Sequence, residues 1–474
     1  MRRRLALVTS AAGAMLVALD GTVLVMAQPS IRHDLGASVA QTQWTSTGYL
    51  LAVAALLVVA GRLGDRYGHR RLLLCGVVGF AGASGGIAFA PGIGWVIGLR
   101  VVQGVFGALL QPATLALLRL AYPADRLGTA VAVRTSAIGV AATAGPVLGG
   151  VLVAHLGWRS VFVVNVPVGL AIAAVTMAVR VPAREHRESE RLDAAGAALV
   201  AGVLAVLVYT LVGVPAHGWT GGPTLAGLLC TTAGAVLLVV HERRAAQPIV
   251  PPAVARSVPV TAAMALLLLT TGGMFGALFV ATFLLQDVQG LSPVAAALRV
   301  LPLTVLMVLG APLAGGAVRR YGPRRTAVVG SALLPLGVLG MSDLTSTDTW
   351  AVSGMWFALI GAGFTAVMVT ATGTVVGDAP AGYAGVVGGL KQTAMNVGPT
   401  LGIAIAAILL QTEGFLTSGS PALRAASASA QATRPALLGL TAVASLGLLP
   451  ALLLPTRSAA APRTAEPAVD RTAP

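Results

Sequence analysis

Apolar runs of about 20 residues, the length that crosses the hydrocarbon core of a bilayer, recur fourteen times along this 474-residue chain. Gly, Pro and charged breaks delimit them at 5–27, 42–63, 72–91, 94–119, 128–154, 160–181, 193–214, 221–241, 259–284, 293–317, 325–343, 350–375, 383–410 and 435–455. In hydrocarbon every backbone N–H and C=O must find a partner within the protein, so runs of this length are helices. The expected fold class is all-α: a polytopic membrane protein of fourteen transmembrane helices joined by short loops. Only 10% of the residues are charged and the mean hydropathy is +0.86, whereas soluble domains carry roughly 25% charged residues. That balance excludes an ordinary soluble enzyme and a disordered chain. Met1-Arg2-Arg3-Arg4 before the first run has the pattern of a signal peptide, but thirteen further spans make a retained first helix the expectation.

The net charge of +15 raises the question of nucleic acid, which the placement of the charge answers. Thirty of the 31 basic residues are Arg, and the lone lysine is Lys391. Twenty-three fall in segments on the N-terminal side of the membrane and four (Arg32, Arg159, Arg424, Arg434) in the opposite loops. Arg100, Arg134, Arg299 and Lys391 lie within spans. This asymmetry is the positive-inside rule. It predicts a multi-pass protein of the cell (cytoplasmic) membrane with both termini in the cytoplasm, and no nucleic-acid partner. Cys75 and Cys230 sit in apolar runs, with neither disulfide nor metal spacing.

Gly61-Arg62-Leu63-Gly64-Asp65-Arg66-Tyr67-Gly68-His69-Arg70-Arg71 recurs as Gly315-Gly316-Ala317-Val318-Arg319-Arg320-Tyr321-Gly322-Pro323-Arg324-Arg325. The copies follow spans two and ten, so both face the same side. Two six-span halves in one orientation, with two spans inserted between them, explain the offset, and parallel repeats of this kind are a transporter architecture. The division expected is a first half at 1–181, two inserted helices with flanking linkers at 182–258, a second half at 259–455 and a disordered tail at 456–474.

These motifs resemble the major facilitator superfamily, and within it the fourteen-span drug:proton antiporter family. Residues 61–71 match the cytoplasmic loop motif G-x-L-x-D-R-x-G-x-R-R. Leu19-Asp20-Gly21-Thr22 resembles the first-span motif, Arg100 with Gln103-Gly104 the fourth-span motif, and Gly145-Pro146-Val147-Leu148-Gly149-Gly150 the antiporter motif of span five. Trp158-Arg159, Asn165-Val166-Pro167, Glu242-Arg243-Arg244 with Pro248, and Gln286 with Gly290-Leu291-Ser292-Pro293 complete the set. The resemblance implies a cytoplasmic gate built on Gly61, Asp65, Arg66, Gly68, Arg70 and Arg71, and a seal against leak at Gly145, Pro146, Gly149 and Gly150. For each the bland alternative stays open: topology for the first, close helix packing for the second. The second copy carries Arg319 where the first has Asp65, so any gate is asymmetric.

The charges argue for themselves. Asp20 is the only acid deep within a span. It lies about 15 residues in, or about 22 Å along at 1.5 Å per residue, and thus about 8 Å below the outer surface of a core about 30 Å thick. Arg100 lies about six residues into a span running the other way, about 9 Å below the same surface. Buried charges in a membrane pair or reach water, so the two are expected to meet. As a proton-coupling pair, Asp20 carries the proton and Arg100 tunes it; a permanent structural pair is the alternative. Arg134 in span five, and Lys391 one turn before Met395 where the family often has Arg, depart from the pattern. Lys391 either replaces that charge or snorkels. Thr22, Gln103, Gln111, Asn165, Gln286, Lys391 and Met395 are the expected cavity residues.

The six His residues all lie in loops or at span ends, leaving no metal site or His relay expected inside the membrane. Lys391 lacks the surroundings of a Walker A loop, so the proton gradient, not a bound cofactor, is the expected drive. The function expected is proton-coupled export of a small apolar compound, such as an antibiotic or other natural product, by a chain acting alone. The nearest alternative is an importer of the same fold, disfavoured by the antiporter motif. An enzyme would need clustered acids or His in the bilayer, or a soluble domain, and the sequence offers neither. With no deep acid in spans nine to fourteen, and Arg299 and Lys391 there, neutral or anionic substrates are favoured over permanent cations.

Overall fold

The computed structural model describes residues 2–178, 193–245, 248–285, 289–291, 293–344, 349–379, 383–412 and 430–456. The described part is all-helical. The helices are α1 (Arg2–Asp34), α2 (Val39–Tyr67), α3 (His69–Ala88), α4 (Ile93–Ala121), α5 (Ala124–Leu156), α6 (Ser160–Val163), α7 (Asn165–Ala178), α8 (Ala194–His217), α9 (Gly222–Arg244), α10 (Pro252–Ala255), α11 (Val258–Phe283), α12 (Pro293–Tyr321), α13 (Pro323–Met341), α14 (Trp350–Gly377), α15 (Ala384–Thr412), α16 (Ala430–Ser445) and α17 (Leu448–Leu452).

Twelve of the described helical spans are long and apolar enough to cross a membrane, against the fourteen expected. The two outside that set are α5 and α13. α13 is diluted at its start by Pro323-Arg324-Arg325. The sixth and last expected spans are each broken in two, at Val164 and at Leu446–Gly447. Several helices outrun their apolar stretches: α1 covers 33 residues, because its polar ends keep hydrogen bonding beyond the hydrocarbon.

Local signals set the helix ends. Ser38 caps α2 in a reciprocal capping box with Gln41, which satisfies two otherwise orphaned N–H groups. Gly68 turns α2 into α3 at φ 92° and Gly322 turns α12 into α13 at φ 85°. Side chains rarely adopt that left-handed region, so the repeated Arg-Tyr-Gly has a backbone reason.

The repeat is visible in the packing. α1 lies on α5, α2 and α3 on α4; α11 lies on α15, α12 and α13 on α14. α2 packs against α15 and α5 against α12, while the pair α8–α9 attaches to both sets through α8 on α2 and α15. Large apolar side chains such as Trp95, Leu229 and Leu313 stand out from the bundle more than 60% exposed. A surface of that kind is made for lipid, and the chain is a multi-pass membrane protein.

Candidate functional site

Five helices of the first set converge on Asp20, which is 2% exposed. Arg100 Nη1 of α4 donates to Asp20 Oδ2 at 2.6 Å. Gln103, three residues on and on the same face, donates through Nε2 to Oδ1 at 3.2 Å. Asn165, the first residue of α7, donates through Nδ2 to the same oxygen at 2.8 Å. Ser84 of α3 accepts from both amides, at 2.7 and 3.4 Å. Arg100 is itself fixed: Nε donates to the Thr45 carbonyl of α2 at 3.0 Å, Nη1 also reaches Gln103 Oε1 at 2.6 Å, and the guanidinium lies 4.3 Å from the centroid of the Tyr49 ring. Asp20 thus meets three donors, the pattern that suits a carboxylate. Gln103 and Asn165, expected as cavity residues, are part of this cluster. Ser84, Thr45 and Tyr49 carried no sequence signal, being neutral residues scattered over two other helices.

Beside this cluster α1 lies against the glycine motif of α5. A Cβ on Gly145 would overlap Thr22 Oγ1, and one on Gly149 would press on Val23 and Met26. Gly150 has open space where its side chain would be, so close packing explains two of the three glycines. Pro146 lies within α5.

A second cluster sits at the Arg-rich rim. Asp65 accepts hydrogen bonds from the backbone N–H groups of Gly385 (2.8 Å) and Val386 (3.1 Å) in the first turn of α15. A carboxylate is at home at a helix N-terminus. His69 Nε2 approaches the same carboxylate at 3.1 Å. Gly61 and Gly385 touch backbone to backbone, so that a Cβ on either would strike the other's carbonyl. Arg62 donates to the Pro248 carbonyl and covers the Tyr383 ring, while Arg119 donates to the Ala379 carbonyl. Arg319 donates to Thr129 Oγ1 at 2.9 Å. Arg70 bonds the carbonyls of Thr176 (3.1 Å) and Met177 (2.6 Å) at the end of α7. Arg66 is exposed over Tyr67, and Arg71 is exposed. Of the motif's arginines, Arg70 therefore reaches another helix and Arg62 the segments just before α10 and α15.

The other expected cavity residues scatter. Gln111 and Lys391 are buried, Met395 is half-buried, and Gln286 lies outside the described residues. Arg299, the other cation of the second half, donates to Ser353 Oγ at 3.1 Å. Glu242 accepts from the N–H groups of Ile249 and Val250 at 2.9 and 3.0 Å, which gives the Glu-Arg-Arg…Pro motif a structural role in turning the chain from α9 toward α11. Asp34, at the far end of α1, accepts from Trp158 Nε1 at 2.8 Å and Arg159 Nη1 at 2.6 Å. Those hydrogen bonds hold its carboxyl below the ordinary value.

A lipid-facing bundle of repeated helix sets, with a fully coordinated acid inside and contacts between the sets drawn tight at one rim, is the build of a membrane transporter. The chain belongs to the Major Facilitator Superfamily, whose profile matches residues 10–403. It is 42% identical to the tetracenomycin C resistance and export protein of Streptomyces glaucescens over 404 residues, 85% of this chain and 75% of that one. It is 35% identical to a probable actinorhodin transporter of Streptomyces coelicolor, covering 82% and 69%, and 31% identical to the multidrug efflux pump LfrA of Mycolicibacterium smegmatis, covering 85% and 80%. The fold resembles the crystal structure of the human organic anion transporter MFSD10 with a TM-score of 0.67 at 16% identity, over 96% of this chain and 100% of that one.

Proposed function

We propose that this protein is a drug:proton antiporter of the cytoplasmic membrane, exporting a small apolar compound of the antibiotic or natural-product kind by alternating access. Its relatives include a tetracenomycin C resistance and export protein and a multidrug efflux pump, and the Arg asymmetry supports an orientation with both termini and the Asp65 rim in the cytoplasm. Fourteen spans divided 1–181, 182–258 and 259–455 accommodate every long helix, α5 and α13 included.

The observation that carries the proton reading is the Asp20 cluster. A protonated Asp20 would become a donor on one oxygen and would weaken its hold on Arg100. Because α1 lies on Gly145 and Gly149, a shift of α1 is felt along α5, and α5 packs on α12 of the other half. Proton binding and half-to-half motion thereby share one helix. The Asp65 latch, Gly61–Gly385, Arg119–Ala379 and Arg319–Thr129 hold the cytoplasmic rim closed, the arrangement of a carrier that has delivered its cargo outward. The experiment is efflux of a fluorescent drug from cells with and without a proton uncoupler: uncoupler-sensitive efflux supports the reading, and efflux indifferent to the uncoupler contradicts it.

A further inference from the structure

The charges inside the bundle do not balance. Asp20 is the one acid within it among the described residues, and Arg100 takes it. Two more cations are nonetheless buried there: Arg134 of α5, 4% exposed, and Lys391 of α15, 1% exposed. No carboxylate pairs with either among the described residues. Arg134 Nη2 donates to Thr114 Oγ1 at 3.1 Å, a neutral acceptor, and its Nε has no partner. Lys391, like Arg134, is enclosed by the bundle with no ion-pair partner among the described residues.

The backbone brings them together from opposite halves. Gly388, one turn before Lys391 and on the same face, lies against Pro112 of α4. Thr114, which holds Arg134, is two residues along α4 from Pro112, and its hydroxyl donates to the Gln111 carbonyl at 2.7 Å. Arg134, held by Thr114, and Lys391, one turn from Gly388, therefore lie along the same stretch of α4, residues 112–114, one from each half. Two like charges in a low-dielectric interior are costly unless an anion joins them. A guanidinium with a free N–H and an ammonium are suited to a carboxylate or an ionised phenol.

We propose that Arg134 and Lys391 together bind the anionic group of the export substrate, an apolar aromatic acid or acidic phenol. This deepens the export reading and rests on it for the route by which the compound enters between the halves. Because the two cations belong to different halves, the anion ties the halves across their interface, and its departure leaves them repelling.

The test is equilibrium binding to the full chain in lipid nanodiscs, with anthraquinone-2-carboxylate, its neutral methyl ester and ethidium as probes. Charge-assisted hydrogen bonds contribute about 1.5–3 kcal/mol each, so the wild type should bind the carboxylate at least about tenfold more tightly than the ester. Lys391→Met and Arg134→Gln should each lose about tenfold or more for the carboxylate while leaving the ester nearly unchanged, and Lys391→Arg should retain the preference. Equal affinity for acid and ester in the wild type, no saturable binding of the acid, or tighter binding of ethidium would overturn the proposal, as would variants that lose acid and ester alike. The wild-type comparison stands even if a variant does not fold. Preference for the acid in a carrier indifferent to the proton gradient would contradict the export reading and leave this site standing; a proton-driven carrier blind to the carboxylate would do the reverse.

Discussion

Thr22 Oγ1 fills the space that a side chain on residue 145 would need. Thr22 stands two residues from Asp20, so α1 turns one face to Arg100 and another to the glycine motif of α5. The acid and the glycine motif of α5 therefore meet opposite sides of one helix.

Gly145→Ala should therefore impair export, because overfilling a tight contact costs about 1–3 kcal/mol, while Gly150→Ala, which has room, should leave it near wild type. Drug efflux at matched membrane expression checks the pair. Equal loss in both variants would remove the Thr22 contact as the reason for the motif.

Asp65→Asn keeps the shape of the latch but gives up the charge that faces two backbone N–H groups, a difference of about 1.5–3 kcal/mol for bonds to a charged group. Turnover should slow by about tenfold with substrate affinity little changed, since the site lies at the rim. Maximal rate and half-saturation measured separately decide it; a large affinity loss at unchanged maximal rate would contradict a gate. Gly385→Ala, which forces the same contact apart, should act in the same direction.

How far these sites could be read from the sequence follows from what kind of partner each residue has. Asp20 and Arg100 were legible because two charges at one depth in hydrocarbon have few choices. Gln103 came with Arg100 by helical spacing. Ser84 and the Thr45 carbonyl were not legible, since short neutral groups leave no charge or periodic trace. The partner of Asp65 is backbone at Gly385 and Val386, which sequence chemistry does not mark. The facing of Arg299 was not legible, because depth says nothing of direction and its acceptor, the Ser353 hydroxyl, is a short neutral group. The helices were legible from their apolar runs, but the break at Val164 falls inside one such run and left no hydropathy signal.

Asp34 supplies a check on the pH behaviour. The Trp158 and Arg159 hydrogen bonds lower its pKa, so its contribution to stability is complete above the ordinary value of 3.8 and is lost only as pH falls through the lowered one. Between about pH 5 and pH 8 it does not titrate. Asp34→Asn should accordingly leave the pH profile of efflux over that range unchanged. A profile displaced by Asp34→Asn would move the pH dependence away from the Asp20 cluster.

The most direct measurement is drug efflux from proteoliposomes under an imposed pH gradient, comparing wild type with Asp20→Asn. The amide keeps the shape of the side chain and cannot exchange a proton, so the variant should bind substrate and fold, yet its efflux should not respond to the gradient that drives the wild type. Wild-type acceleration by the gradient in Asp20→Asn would contradict the proton-coupling role assigned to Asp20.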